Sequence, residues 1–226
     1  MTYNIETVME VLEKLGKEHF RKIYQRHGSG NNVYGVSMSD LKTLQKEIKK
    51  NSVLAFELWK TGNSDAKALA IFIVDPDDMS ENIIDSWVSE IKFYMLTDIL
   101  VTNVINKTPF AKQLSEKWIK SKEEGISRAG WQTMTLIAMH QKDLPDIYFE
   151  KLLEYIEKNI HTSKNRCRDA MNNALIGIGL RNENLEKKVF ECAKRIGKIE
   201  VDYGDTACET PDVIEYIKKA KTRRKK

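Results

Sequence analysis

The stretch Glu90–Asn103, EIKFYMLTDILVTN, is the apolar centre of the chain. The span from Phe93 to Val101 is almost entirely apolar or aromatic, and Asp98 is the only carboxylate within that span. Tyr94 and Asp98 are four residues apart, so on a helix they lie on the same face. A lone buried carboxylate is costly unless donors or a cation accompany it. Asp98 therefore has either a structural partner or a function, and the pattern alone favours the structural role.

Helical patterns extend from this stretch in both directions. Ile5, Val8 and Leu12 are spaced at the helical period, as are the apolar residues of the later segments. No period-two pattern typical of strands persists anywhere, so the sequence predicts an all-α fold. The predicted helices are 4–15, 17–27, one from a cap at Ser37 or Ser39 to Lys49, 52–61, 63–74, 80–91, 93–106, 109–121, 123–140, 145–160, 163–180, 182–196 and a last one from Pro211.

The predicted helices form paired units with short links, which is typical of an α-solenoid, although a compact bundle also fits. A solenoid has a concave face lined by every second helix. Helices 63–74, 93–106, 123–140 and 163–180 are the candidates to line it.

The charge of the chain is unevenly distributed. The net charge is +4, but the tail 218–226, KKAKTRRKK, has seven basic residues and no acid, so the remainder sums to −3. We predict one helical-repeat domain over 1–217 and a disordered tail over 218–226. The tail could contact anions nonspecifically or simply keep the chain in solution.

Several classes of protein and site are disfavoured. No apolar run approaches the ~20 residues of a membrane span, and the N-terminus has no signal-peptide pattern. The three cysteines form no CxxC pair, which predicts free thiols and a cytoplasmic location. The histidines are scattered, so we expect no metal site, and the segment HGSGNN lacks the GK[ST] of a phosphate loop. We expect the protein to use no cofactor and to be a monomer.

Five segments of the chain carry a resemblance to a known family. They are YGVSMSDLKTLQKEI, ELWKTGNSDAKALAIFI, FYMLTD, GISRAGWQTMTLI and RCRDAMNNALIGIG. Over about residues 1–200 the chain resembles the DNA alkylation repair family, the AlkD-like HEAT-repeat DNA glycosylases. The resemblance implies an α-solenoid of HEAT-like repeats with a concave face, and DNA, duplex and alkylated or branched, as the partner.

The resemblance also implies roles for particular residues. Tyr94 and Asp98 match the family's aromatic residue and its catalytic aspartate four positions later, and Arg128 matches an arginine that could hold a backbone phosphate. Arg166 and Arg168, at the start of helix 163–180, are expected to contact DNA. Two departures mark a divergent branch: Tyr94 replaces a tryptophan, and Asn173 stands where the family has a second one. Trp131 could supply replacement stacking surface, but a core role is favoured for it.

The implied chemistry is hydrolysis of the N-glycosidic bond of an N3- or N7-alkylated purine, as in a 3-methyladenine/7-methylguanine glycosylase. An ionised Asp98 beside the sugar would stabilise an oxocarbenium-like transition state. The alternatives are a noncatalytic module that binds duplex or branched DNA and a protein-binding solenoid. The segment 199–217, which contains VDYGDTACETPD, lies outside the glycosylase pattern and has no assigned role.

Overall fold

The computed structural model of the chain describes residues 3–204 and 206–224. These residues form thirteen α-helices and contain no β-strand, which confirms the predicted all-α class. The helices are α1 Ile5–Leu15, α2 Glu18–Arg26, α3 Met38–Ile48, α4 Ser52–Lys60, α5 Ser64–Ile73, α6 Glu81–Glu90, α7 Tyr94–Asn103, α8 Ala111–Trp118, α9 Glu124–His140, α10 Asp146–Asn159, α11 Asn165–Gly179, α12 Glu183–Ile196 and α13 Val213–Arg224. Short 3₁₀ turns lie at Pro76–Asp78, Ile105–Lys107 and Ile160–Thr162.

Local caps fix many of the helix starts. The side chains of Ser37, Asn51 and Ser80 each accept a hydrogen bond from the amide three residues later, at the starts of α3, α4 and α6. Such bonds need only neighbouring residues, which is why the observed helix starts fall within about two residues of the predicted ones.

The central helix α7 ends earlier than predicted, at Asn103 instead of 106. The hydroxyl of Thr102 donates to the Asp98 carbonyl at 2.9 Å, and the Asn103 amide donates to the Ile99 carbonyl at 2.8 Å. Such side-chain bonds compete with the backbone ladder at a helix end. The chain then passes through Val104 into the 3₁₀ turn Ile105–Lys107.

The structure divides the chain into two compact units, residues 1–110 and 111–226. In unit 1, α5 is the inner helix: all of its residues except Lys67 are buried, and it packs on α3, α4 and α7. In unit 2, α11 is the inner helix and packs closely on α9. Helices α5 and α11 correspond to 63–74 and 163–180, which were both predicted to line the concave face. The single domain over 1–217 stays a prediction.

The basic tail is more ordered than expected. Residues 218–224 were predicted to be disordered, but they form the second half of α13. Val213 and Ile217 on this helix are buried, and Lys221 pairs with Glu186 of α12. Apolar burial together with this ion pair explains why a strongly basic segment is helical here. Residues 225 and 226 lie outside the described part of the chain.

Candidate functional site

Asp98 and Tyr94 lie beside the buried face of α7. That face is formed by Leu96, Thr97, Leu100 and Val101, whereas Tyr94 and Asp98 are partly exposed. Phe93, immediately before α7, is buried, and the centre of its ring lies 5.6 Å from the centre of the Tyr24 ring. Asp98 is therefore not sealed in the core, and it shares its side of the helix with an accessible aromatic ring one turn earlier.

A loop of unit 1 borders Tyr94. The ring of His27 meets the ring of Tyr94 edge-on at 5.5 Å. The next residue, Gly28, has a φ of +96°, and a Cβ there would lie 3.1 Å from the Lys92 carbonyl oxygen. The glycine-rich segment therefore brings its backbone close to the start of α7. The segment HGSGNN, for which a phosphate loop was excluded, therefore supports the edge of the candidate site.

The loop 27–37, which joins α2 to α3 and begins with HGSGNN, is held by a carboxylate that was not among the predicted site residues. Asp65, at the start of α5, is buried and accepts hydrogen bonds from the amides of Tyr34, Gly35 and Val36 at 2.6, 3.1 and 2.9 Å. Burial raises the pKa of Asp65, and the amide bonds offset part of that rise. The available signal was an acid inside the apolar segment NSDAKALAIFIV, two residues after the Asn63 cap.

In unit 2, Arg128 is buried and bound by protein groups. Its Nη1 donates to Asp169 Oδ2 at 2.6 Å and to the Arg166 carbonyl at 3.0 Å. The other oxygen of Asp169 accepts from the hydroxyl of Tyr203 at 3.0 Å. The guanidinium nitrogen Nη1 is thus already occupied by Asp169, which limits what Arg128 can offer a phosphate in this arrangement.

Trp131 is fully buried in the core of unit 2. Its ring contacts that of Tyr155 at 5.7 Å, and its Nε1 has no hydrogen-bond partner among the described residues. A side chain in this position exposes no ring face for stacking on a nucleotide. The structure thus places Trp131 where the core interpretation put it. Asn173 on α11 is partly exposed, so the position matching the family's second tryptophan is accessible but not aromatic.

The two arginines at the start of α11 differ in their surroundings. The amide of Arg166 donates to Glu124 Oε1 at 2.7 Å, and its guanidinium lies 5.5 Å from the centre of the Tyr203 ring. Arg168 is partly exposed, but its Nε is buried and has no hydrogen-bond partner in the described part of the chain. Both keep part of their surface accessible, as a phosphate contact requires.

Residues 199–204 and 206–212, for which no role was predicted, pack along α11. Asn165 and Asp202 exchange two hydrogen bonds of 2.7 Å, and the Asn172 amide donates to the Pro211 carbonyl at 3.0 Å. With the bond from Tyr203 to Asp169, these contacts tie the segment to the helix that bears Arg166 and Arg168. A cleft of about 900 Å³ lies between this segment and the end of α12.

The described residues offer no metal site. Residues 3–204 and 206–224 contain no group of three or more histidine, cysteine or acidic side chains able to hold a metal ion. Cys167 and Cys192 are buried and Cys208 is exposed, all as free thiols, and burial raises the pKa of both buried thiols. Within residues 3–204 and 206–224, every helix is too short or too polar to cross a lipid bilayer.

Comparisons with known proteins agree over nearly the whole chain. The family model described as DNA alkylation repair enzyme matches residues 8–192. Uncharacterized proteins of Listeria innocua and Listeria monocytogenes are 31% and 30% identical, over 94–95% of this chain and 95–96% of theirs.

A solved structure described as "a new family of proteins related to the HEAT-like repeat DNA glycosylases with affinity for branched DNA structures" is 34% identical. Its TM-score is 0.88, and the match covers 98% of this chain and 95% of that chain. This likeness confirms the predicted HEAT-like repeat fold. On its sequence and on its fold, the chain belongs to the DNA alkylation repair family.

Proposed function

We propose that this protein binds DNA as a noncatalytic HEAT-like module with a preference for branched structures. The observation that carries the proposal is the likeness, over 98% of the chain, to a protein described as having affinity for branched DNA. Binding of this kind depends mainly on phosphate contacts, which position a protein without reading sequence. Arg166 and Arg168, partly exposed at the start of α11, are candidates for such contacts.

The side chains favour binding over base excision. A cationic alkylated base is stabilised by aromatic faces on which it can stack. In this chain Tyr94 offers one such face, Asn173 stands in place of the second, and Trp131 is fully buried. A nucleobase would therefore meet one aromatic ring instead of two. The absence of a second ring weakens the binding of a damaged base but leaves phosphate contacts unaffected.

The test compares the affinity of the full chain for a four-way junction with its affinity for linear duplex of matching sequence. We expect tighter binding to the junction, with the logarithm of the affinity falling linearly with the logarithm of salt concentration. The double variant Arg166→Gln/Arg168→Gln should bind both DNAs more weakly. Equal affinity for the two DNAs would contradict the proposed preference for branched DNA. A lack of binding to either at moderate salt would favour the protein-binding solenoid instead.

A second candidate function is release of N3- or N7-alkylpurines, and one observation favours it. Asp98 is partly exposed one helical turn from Tyr94, the arrangement that the family resemblance requires. As the bond between C1′ and the base nitrogen breaks, the bonding electrons leave with the base, and positive charge develops on the sugar. A carboxylate beside C1′ would stabilise that charge, and it would take the proton that water loses as its oxygen adds to the same carbon.

Release of free base from methylated duplex tests this candidate, with Asp98→Asn as the matched variant. Release by the wild type that is lost in Asp98→Asn would establish the glycosylase. No release by either protein, together with junction binding by both, is the outcome expected from the first proposal. The cytoplasmic location and the monomeric state stay predictions.

A further inference from the structure

Helix α13 is fixed to unit 2 by one face. Val213 and Ile217 are buried, and the helix packs on α11 and α12. Ile217 lies so close to Gly179 of α11 that a Cβ on the glycine would be 2.5 Å from the Ile217 Cδ1. Lys221 pairs with Glu186 of α12. Because the helix is held by these contacts, the side chains on its outer face project from a defined position.

That outer face combines an aromatic hydroxyl with two cations. Tyr216, Lys219 and Arg223 are exposed, and their spacing of three and four residues puts them on one side of the helix over about 10 Å. Tyr216 is 48% exposed. Lys219 and Arg223 make no ion pair with a described residue, whereas the nearby acid Glu215 is paired with Lys218. We call these three residues the α13 face.

We propose that the α13 face binds the phosphate backbone of one arm of the DNA. This inference rests on the proposed DNA-binding function and assigns it a second contact surface. The phenol, ammonium and guanidinium groups are all donors of the kind that bond phosphate oxygens. Two cations on an already ordered helix lose less conformational freedom on binding than they would on a disordered tail.

The packing of α13 favours nucleic acid over an anionic membrane. A helix that binds at a lipid surface inserts an apolar face below the headgroups. On α13 the apolar residues Val213 and Ile217 are already buried in the protein. The exposed side has charged and hydroxyl groups instead, which suits a solvated phosphate backbone.

The test is the salt dependence of junction binding by the full-length double variant Lys219→Gln/Arg223→Gln. Loss of two phosphate contacts should make the negative slope of log affinity against log salt shallower by about 1.8. The affinity ratio of wild type to variant should then shrink about twelvefold between roughly 50 and 200 mM salt. Lys42→Gln/Lys46→Gln on α3, which removes two exposed lysines from unit 1, is the charge-matched control and should keep the wild-type slope.

A second variant tests the hydroxyl without changing charge. Tyr216→Phe keeps the ring and should weaken junction binding roughly two- to tenfold. A wild-type slope in the double variant, with normal junction binding by the wild type, would overturn the role of the α13 face but not the proposed function. Absence of DNA binding by the wild type would overturn both. Loss of binding to phosphatidylserine vesicles in the double variant, with unchanged DNA binding, would reassign the face to lipid.

Discussion

Arg128 and Asp169 form a buried ion pair at 2.6 Å between α9 and α11, with side-chain exposures of 3% and 12%. Tyr203 joins the pair from the segment after α12, because its hydroxyl bonds the second oxygen of Asp169. Three separate parts of unit 2 therefore meet at one carboxylate. The arginine that the family resemblance assigns to phosphate binding is also a structural element of its own unit.

Removal of Asp169 should destabilise the protein strongly. Asp169→Ala leaves the Arg128 guanidinium buried without its carboxylate, and breaking a buried pair in this way costs about 3–5 kcal/mol of unfolding free energy. Urea unfolding followed by circular dichroism measures the loss. Glu157→Ala removes an acid that pairs with the exposed Arg195, and it should change the stability little. Similar losses in both variants would contradict a structural role specific to the buried pair.

Gly35 should tolerate no side chain. Its φ is +86°, and a Cβ there would lie 2.4 Å from the Arg21 nitrogen and 2.5 Å from the Lys17 oxygen. We expect Gly35→Ala to lower the unfolding free energy by well over ~1 kcal/mol, because strain and a backbone clash add together. Gly30, with a φ of +73° and no atom within 4 Å of a built Cβ, is the matched control. Gly30→Ala carries only the strain of its backbone conformation, and equal losses in thermal unfolding would argue against the clash.

Asp65 should make the protein less stable as pH rises, which is the opposite of the usual effect of an acidic residue. Burial holds its folded-state pKa above the ordinary value of 3.8. The folded state then binds more protons than the unfolded state between these two pKa values. The contribution of this residue is fully present below pH 3.8 and is lost as pH rises through the folded-state pKa.

The measurement is urea unfolding of wild type and Asp65→Asn at a series of pH values from about 3.5 upward. The stability advantage of the wild type over the variant should shrink as pH rises. An advantage that grows instead would mean that the amides of Tyr34, Gly35 and Val36 lower the pKa by more than burial raises it. Where Asp65 is ionised, the variant should still be the less stable protein, because its amide group replaces one acceptor with a donor facing those amides.

Arg181 should stabilise the end of α9 and the turn that follows it. Its two terminal nitrogens donate to the carbonyls of Ala138, Gln141, Lys142 and Leu144, and its guanidinium lies 4.5 Å from the centre of the Phe149 ring. Arg181→Lys keeps the charge but lacks the planar fork, so we expect a loss of roughly 1.5–3 kcal/mol. Hydrogen exchange should report faster opening around residues 138–144. Unchanged protection there would show that the carbonyls do not depend on this arginine.

The helices were predictable because their causes are local. Apolar spacing, the caps at Asn51 and Ser80, and stops such as Asp75–Pro76 involve residues within one or two turns. The outcome for the tail shows the limit of such reasoning. Charge density predicted disorder over 218–226, but burial of Ile217 against Gly179, 38 positions earlier in the sequence, makes residues 218–224 helical.

The amino-acid sequence was sufficient to predict the all-α class, the bounds of most helices and the family resemblance that singles out Tyr94 and Asp98. Helix packing was needed to show that Asp98 is partly exposed, that Trp131 lies in the core, and that Asp169 binds the guanidinium of Arg128. The physical reason is separation along the chain. Asp169 lies 41 residues from Arg128, and the amides of Tyr34 and Val36 lie 31 and 29 residues from Asp65. Whether such partners meet depends on how whole helices pack.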